Sequence, residues 1–226
     1  MTTKTRAHPA QVPDTTSLPR VRDAATGCRA CELYADATQT VFGESPARAP
    51  IVLVGEQPGD VEDKRNRPFV GPAGKLLDRA LGEAGIARSE VYLTNAVKHF
   101  RWKSTAQGKR RLHEQPAMSH VTACRPWLAA ELHLVRPQVL VAMGATAAAS
   151  LFGNGFRLTQ HRGEAMSWPP ISGPFAHDET PVAAVLTTIH PSAVLRAQPQ
   201  NRDEALAGLV SDLALAASLV AHSGTR

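Results

Sequence analysis

IVLVGEQPGD, residues 51–60, is the stretch that decides the fold. A short apolar run follows Pro50 and stops at a turn rich in glycine and proline. That is the pattern of a strand buried on both faces. Three further runs repeat it: VYLTNAV (91–97), QVLVAMG (138–144) and VAAVLTTI (182–189). Helical patterns stand between and after them. AGKLLDRALGEAGI (73–86) places Leu76, Leu77, Ala80, Leu81 and Ala84 on one face. VTACRPWLAAELHLV (121–135) reads as a helix with an internal Pro126, ATAAASLF (145–152) as a small-residue helix, and RDEALAGLVSDLALAASLVAH (202–222) as a closing amphipathic helix. Buried strands alternating with helices predict an α/β fold with a mostly parallel, four-stranded sheet covered on both faces.

The chain has 226 residues, of which 43% are hydrophobic, enough for a sizeable core. Residues 1–20 read as a flexible polar lead-in and 21–222 as a single domain. No apolar run is long enough for a membrane helix. The N-terminus lacks the apolar core of a signal peptide, so a cytoplasmic protein is expected. The net charge of +5 leans toward a polyanionic partner. AMSWPPISGPFAHDETP (165–181) is a Pro-rich stretch that reads as a surface loop without assigned function.

Ligands of open α/β sheets bind at the carboxyl ends of the strands. Three such ends carry chemically capable side chains. GEQPGD (55–60) offers Glu56, Gln57 and Asp60 to bind a base edge, polarise a water or stabilise a cation, with Gly55 and Gly59 allowing close approach. A tight turn with solvated polar residues explains the same letters, and no G-K-[ST] follows to make a phosphate loop. Asn95 lies in the second strand. HPSAVLR (190–196) offers His190 as a donor to a developing anion, Ser192 as a helix cap, and Leu195 with Arg196 as wedge and phosphate contact. Phe69, between Pro68 and Gly71, either stacks on a base or anchors its loop in the core. GKRRLHEQP (108–116) puts Lys109, Arg110, Arg111 and His113 between Gly108 and Pro116. Solvated loop, phosphate clamp and reactive site all fit it.

Cys28, Cys31 and Cys124 are the only cysteines, an odd count that argues against a disulfide framework. Cys28 and Cys31 form a C-x-x-C pair, and a pair plus a distant single cysteine is a common metal-site layout. His99 is the leading fourth ligand, and His120 also lies near Cys124 in sequence. Zinc suits such a set, and an iron–sulfur cluster can take a histidine in place of one cysteine. Three inert buried thiols are the plain alternative.

Taken together, C-x-x-C, GEQPGD, RPFVGPAGKLLD, TNAVKHF, ACRPWL and HPSAVLR resemble, in order, the iron–sulfur (family 4) uracil-DNA glycosylases across residues 25–215. His99 replaces a usual cysteine, and KRRLH is inserted. Both departures resemble the UdgX branch, whose loop reads K-R-R-I-H; Leu112 stands for the isoleucine. The resemblance implies a three-layer α/β/α uracil-DNA-glycosylase-like fold. It implies a [4Fe–4S] cluster held by Cys28, Cys31, His99 and Cys124. It also implies excision of uracil from DNA, mainly single-stranded, followed by covalent attachment of the abasic sugar to His113. His190 would stabilise the uracil anion, Asn95 read the base edge, Phe69 stack on it, and Glu56 hold the other nitrogen of His113. Gln57 and Asp60 would complete the base site. Lys109, Arg110, Arg111, Ser192 and Arg196 would hold DNA phosphates. A monomer is expected. The competing readings are a turnover family 4 glycosylase, a non-enzymatic iron–sulfur DNA-binding protein, and a zinc-stabilised domain.

Overall fold

The structure is a computed structural model and describes residues 7–44, 46–105 and 110–223. Strand β1 (Ile51–Gly55) is buried throughout because alternate residues serve two different cores. Val52 and Val54 join the core under α1 (Leu18–Ala25), whereas Ile51 and Leu53 pack toward α3 (Pro72–Glu83). Between them in sequence lies the short α2 (Asp60–Arg65). β2 (Val91–Asn95) pairs with β1 in parallel, Gly55 opposite Asn95. A separate two-stranded antiparallel ribbon follows, β3 (Trp102–Ser104) against β4 (Arg111–His113). Then come α4 (Met118–Val135), β5 (Val139–Met143), α5 (Ala145–Phe152), α6 (Leu158–His161), β6 (Ala184–Thr188), α7 (Pro191–Arg196) and α8 (Arg202–Ser223).

The central sheet has the order β2-β1-β5-β6, with every pairing parallel. Its helices lie on both faces, giving the three-layer α/β/α arrangement that the apolar runs predict. The chain steps from β1 outward to β2, then returns to β5 on the other side of β1. That reversal opens a crevice beyond the carboxyl ends of β1 and β5, where open α/β sheets bind ligands.

Two expectations need correction here. Residues 1–20 are expected as a flexible polar lead-in, but residues 7–20 pack against the body. His8 and Ala10 donate their amides to the carbonyls of Ala30 and Ala123, Ala10 is buried, and Leu18 starts α1 and packs in the core. Proline and threonine disguise this segment as linker, although its few apolar residues are used. The second correction concerns RRLH, expected as a loop. Arg111–His113 is strand, with Trp102 opposite His113 and Ser104 opposite Arg111. Lys109 lies outside the described residues.

A buried ion pair ties β2 to α4. Lys98 and Glu131 are both fully buried, with Nζ 2.5 Å from Oε2. Lys98 Nζ also donates to Thr94 Oγ1 at 2.6 Å and to the Asn95 carbonyl at 2.8 Å. Glu131 Oε1 accepts from the Gly43 amide, the Tyr92 hydroxyl and Thr94 Oγ1 at 2.9–3.0 Å. Every proton of the ammonium thus has an acceptor, which is what burying a charge requires. The network fixes the backbone of Asn95 from behind the sheet. Among the described residues no helix is long and apolar enough to cross a membrane.

Candidate active site

Four strand ends and the ribbon converge on one cleft of about 730 Å³. Glu56, Gln57, Asp60, Phe69, Asn95 and His113 line it, as do His190, Ser192 and Arg196.

Asn95 ends β2, is buried, and its Oδ1 has no hydrogen-bond partner. An orphaned buried amide oxygen in a cleft is a recognition group waiting for a donor. Phe69 is buried beside it, in the left-handed region at φ 54°, and its ring centroid lies 6.0 Å from that of His190. This strained backbone is held on both sides. Glu62 Oε1 accepts the Gly71 amide at 2.8 Å, and Arg88 donates to the Phe69 carbonyl at 3.1 Å. Gly55 makes room for both recognition groups. A Cβ there would stand 2.4 Å from Asn95 Oδ1 and 2.6 Å from the Phe69 ring. A methyl group at position 55 would therefore displace one or both of these side chains.

His190 is the N-cap of α7, the place the sequence reading gives to Ser192. Its Nδ1 accepts from the Ser192 amide at 3.2 Å. The neutral ring therefore carries its proton on Nε2, a donor free for an anion. Burial pushes its pKa down to about 4, so it stays neutral. Gly144, at φ 91°, abuts this residue; a Cβ would come 3.0 Å from that of His190. Ser192 Oγ accepts from Arg196 at 2.9 Å, which leaves Arg196 exposed at the rim with Leu195.

Glu56 follows β1. Its Oε1 lies 3.1 Å from His113 Nε2, and its Oε2 accepts from Thr146 Oγ1 at 2.5 Å. Burial alone would raise the carboxyl pKa, but the hydrogen bonds from His113 and Thr146 outweigh it and hold the group below the ordinary carboxylate range. Glu56 is thus an anion. It can only accept, so Nε2 of His113 carries a proton, and in the neutral ring the other nitrogen holds the lone pair. The His113 side chain is 51% exposed at the cleft mouth, with Phe100 behind it at 6.2 Å between ring centroids.

Three expected contacts have other work. Arg111 does not reach out to solvent as a free phosphate clamp. It bonds Asp60 Oδ1 at 2.5 Å and Asp63 Oδ2 at 2.7 Å, and lies over Phe100 and Trp102. Asp60, expected at the base, is engaged by Arg111 and by Lys64 at 2.7 Å. The Gln57 side chain, also expected at the base, clips the ribbon instead: Nε2 donates to the carbonyls of Arg101 and Glu114, and Oε1 accepts from the Arg101 amide. In all three, tertiary partners that sequence spacing hides satisfy the polar groups first. Arg110 is exposed. Thr146 and Gln115, which the sequence reading passed over, belong to the site. Thr146 lies in the small-residue helix α5, where no local signal in the sequence marks it.

Behind the cleft, Cys31 and Cys124 are buried and Cys28 half-buried. The thiols are close enough to repel as thiolates. Burial pushes Cys31 up to about 11 and Cys124 up to about 12, so a thiolate there needs a bound cation. The Lys98 amide donates to Cys124, and Trp127 Nε1 to Cys28 Sγ at 3.3 Å. His99 is buried, with burial lowering its pKa to about 4, and its Nδ1 has no partner. Its Nε2 meets Thr40 Oγ1 at 2.9 Å, which can fix the tautomer that leaves Nδ1 free to ligate. His120, the competitor, is committed on both nitrogens to the Ala117 amide and Glu32. Among the described residues no three donors stand in ready-made metal geometry. The donor set, with its orphaned imidazole nitrogen, nonetheless fits an iron–sulfur cluster chemically.

Residues 42–214 match the uracil DNA glycosylase superfamily. The chain is 36% identical over 200 residues to a type-4 uracil-DNA glycosylase of Thermotoga maritima, covering 87% of this chain and 91% of that protein. It is 35% identical over 179 residues to a type-4 enzyme of Archaeoglobus fulgidus, covering 78% and 82%. A third type-4 enzyme, from Sulfurisphaera tokodaii, is 33% identical over 184 residues, covering 79% and 76%.

Proposed function

The chain belongs to the uracil DNA glycosylase superfamily, with type-4 uracil-DNA glycosylases as relatives, and from that premise we propose that it excises uracil from DNA and then holds the abasic sugar covalently on His113. The observation that carries the covalent step is the His113–Glu56 contact at the mouth of the cleft that also contains Asn95 and His190.

The base leaves the stack and enters between Asn95 and Phe69, at least cost from single-stranded DNA. Asn95 Oδ1 accepts from uracil N3–H. Cytosine offers a lone pair at that position and leaves the buried oxygen unpaired, so it is rejected. As the C1′–N1 bond breaks, its electron pair departs with uracil, and the Nε2–H of neutral His190 meets the developing anion. The sugar becomes oxocarbenium-like, and the Glu56 carboxylate stabilises it. The imidazole lone pair of His113 then forms the N–C1′ bond, and the ring proton left in excess passes to Glu56 or solvent. A held nucleophile outcompetes water by its effective concentration. Exposed Arg110 and Arg196, with Lys109, supply phosphate contacts.

Cys28, Cys31, His99 and Cys124 would hold a [4Fe–4S] cluster, whose bonds cross-link the N-terminal segment, the end of β2 and α4. Iron and sulfide analysis of purified protein checks it: three to four irons per chain are expected, and zinc alone would refute the assignment.

The test of the activity is incubation with a uracil-containing single strand. A complex that survives boiling in detergent is expected, at no more than one strand per protein. Complete conversion of excess substrate to free abasic DNA would instead support a turnover enzyme.

A further inference from the structure

Glu56 has two oxygens and His113 uses one. The other accepts from Thr146 Oγ1 at 2.5 Å, and Thr146 is buried, at the first turn of α5. Thr146 Oγ1 in turn accepts from Gln115 Nε2 at 3.2 Å. Gln115 sits two residues beyond His113, and its carbonyl accepts from Arg101 at 2.9 Å. The direction of each bond is fixed by the chemistry. The Gln115 amide can only donate from nitrogen, the anionic carboxylate can only accept, and the hydroxyl between them gives its single proton to Glu56. The hydroxyl proton is therefore committed, and the carboxylate cannot rotate without losing it.

We propose that Thr146, backed by Gln115, is a positioning residue that decides between covalent capture and release, by holding Glu56 in the orientation that presents the His113 imidazole to the sugar. This rests on the covalent reading above. Thr146 need not touch the substrate; it acts through Glu56. The other groups facing that carboxylate are His113 from β4, which bonds Oε1, and His190 from the start of α7, close enough to act on it electrostatically. The α5 hydroxyl holds the second oxygen, so the carboxylate is fixed at both ends. Without it, Glu56 still stabilises the sugar cation as a charge, so uracil release continues. The imidazole loses its fixed tautomer and pose, and water gains the competition.

The experiment measures, on one gel, the covalent complex and the free abasic strand from uracil-containing DNA. Thr146→Val, Thr146→Ser and Gln115→Ala are compared with wild type. Thr146→Val is expected to lower the ratio of complex to free abasic DNA about tenfold, the worth of one hydrogen bond to a charged group. Thr146→Ser restores the ratio because it keeps the hydroxyl. Gln115→Ala, at an exposed position and so without risk to folding, moves the ratio the same way by a smaller factor. In the nitrogen-resolved NMR spectrum of His113, Thr146→Val lowers the Nε2–H tautomer population. An unchanged ratio in both Thr146→Val and Gln115→Ala overturns the proposal. So does a parallel fall of capture and uracil release in both, which marks a merely structural role. Should Thr146→Val fail to fold, Gln115→Ala decides alone. Absence of complex in the wild-type lane sinks the covalent reading itself, a separate result.

Discussion

His113→Ala is expected to abolish the detergent-resistant DNA complex and to release free abasic DNA in its place. The size of the loss follows from what is removed. A nucleophile held at the sugar competes with solvent at an effective concentration on the order of 10⁵ M or more, so capture falls by several orders of magnitude. Uracil excision survives because Asn95, Phe69 and His190 are untouched. Stability changes little, since the side chain is half exposed and closes no core. Both products are read on a denaturing gel, with and without alkaline cleavage of abasic sites. Equal complex from the variant would assign the attachment to another residue.

The second large effect is on stability. Glu131→Ala leaves the Lys98 ammonium buried without its counter-charge, and strips the Gly43 amide and Tyr92 hydroxyl of their acceptor. Breaking a buried pair from one side costs about 3–5 kcal/mol. For a chain of this size that corresponds to a fall in melting temperature of roughly 10 °C. Urea unfolding of purified proteins measures it. The double replacement Glu131→Leu with Lys98→Met is expected to recover part of the loss, because no unpaired charge remains while the Gly43 amide and Tyr92 hydroxyl still lack an acceptor. A loss below about 1 kcal/mol in Glu131→Ala would show that water reaches the pair.

These two predictions mark the boundary between what the sequence reveals and what it conceals. The central sheet is legible because its four strands are buried on both faces, and IVLVG, VYLTN, VLVAM and AVLTT write that burial as unbroken apolar runs. Their parallel order then makes Glu56, Asn95 and His190 neighbours, although 38 and 94 residues of chain intervene between successive members. The ribbon is not legible. Two strands of three residues with half-buried or exposed side chains are too short to show alternation, and each carries a single apolar residue, Trp102 and Leu112. Arg111 reads as a cation for DNA until Asp60 and Asp63, some 50 residues away, are seen around it. Gln57 reads as a base contact until the ribbon claims its amide. Thr146 reads as packing. In each case the deciding partner is distant in sequence, and a side chain's chemistry says what it can bond but not which partner arrives first.

The ribbon also separates the parts of this protein in a way that matters for building with it. Neither β3 nor β4 joins the central sheet, and the ribbon's seat includes Asp36, Thr38, Gln57, Asp60 and Asp63. On the covalent reading proposed above, the nucleophile rides on a graft, and the rest of the site is its rootstock. Transplanting KRRLH into another scaffold without those seats would deliver a histidine with no fixed address. Moving the insertion and its seats together would carry the device whole, while the sheet beneath keeps its own hydrogen bonds.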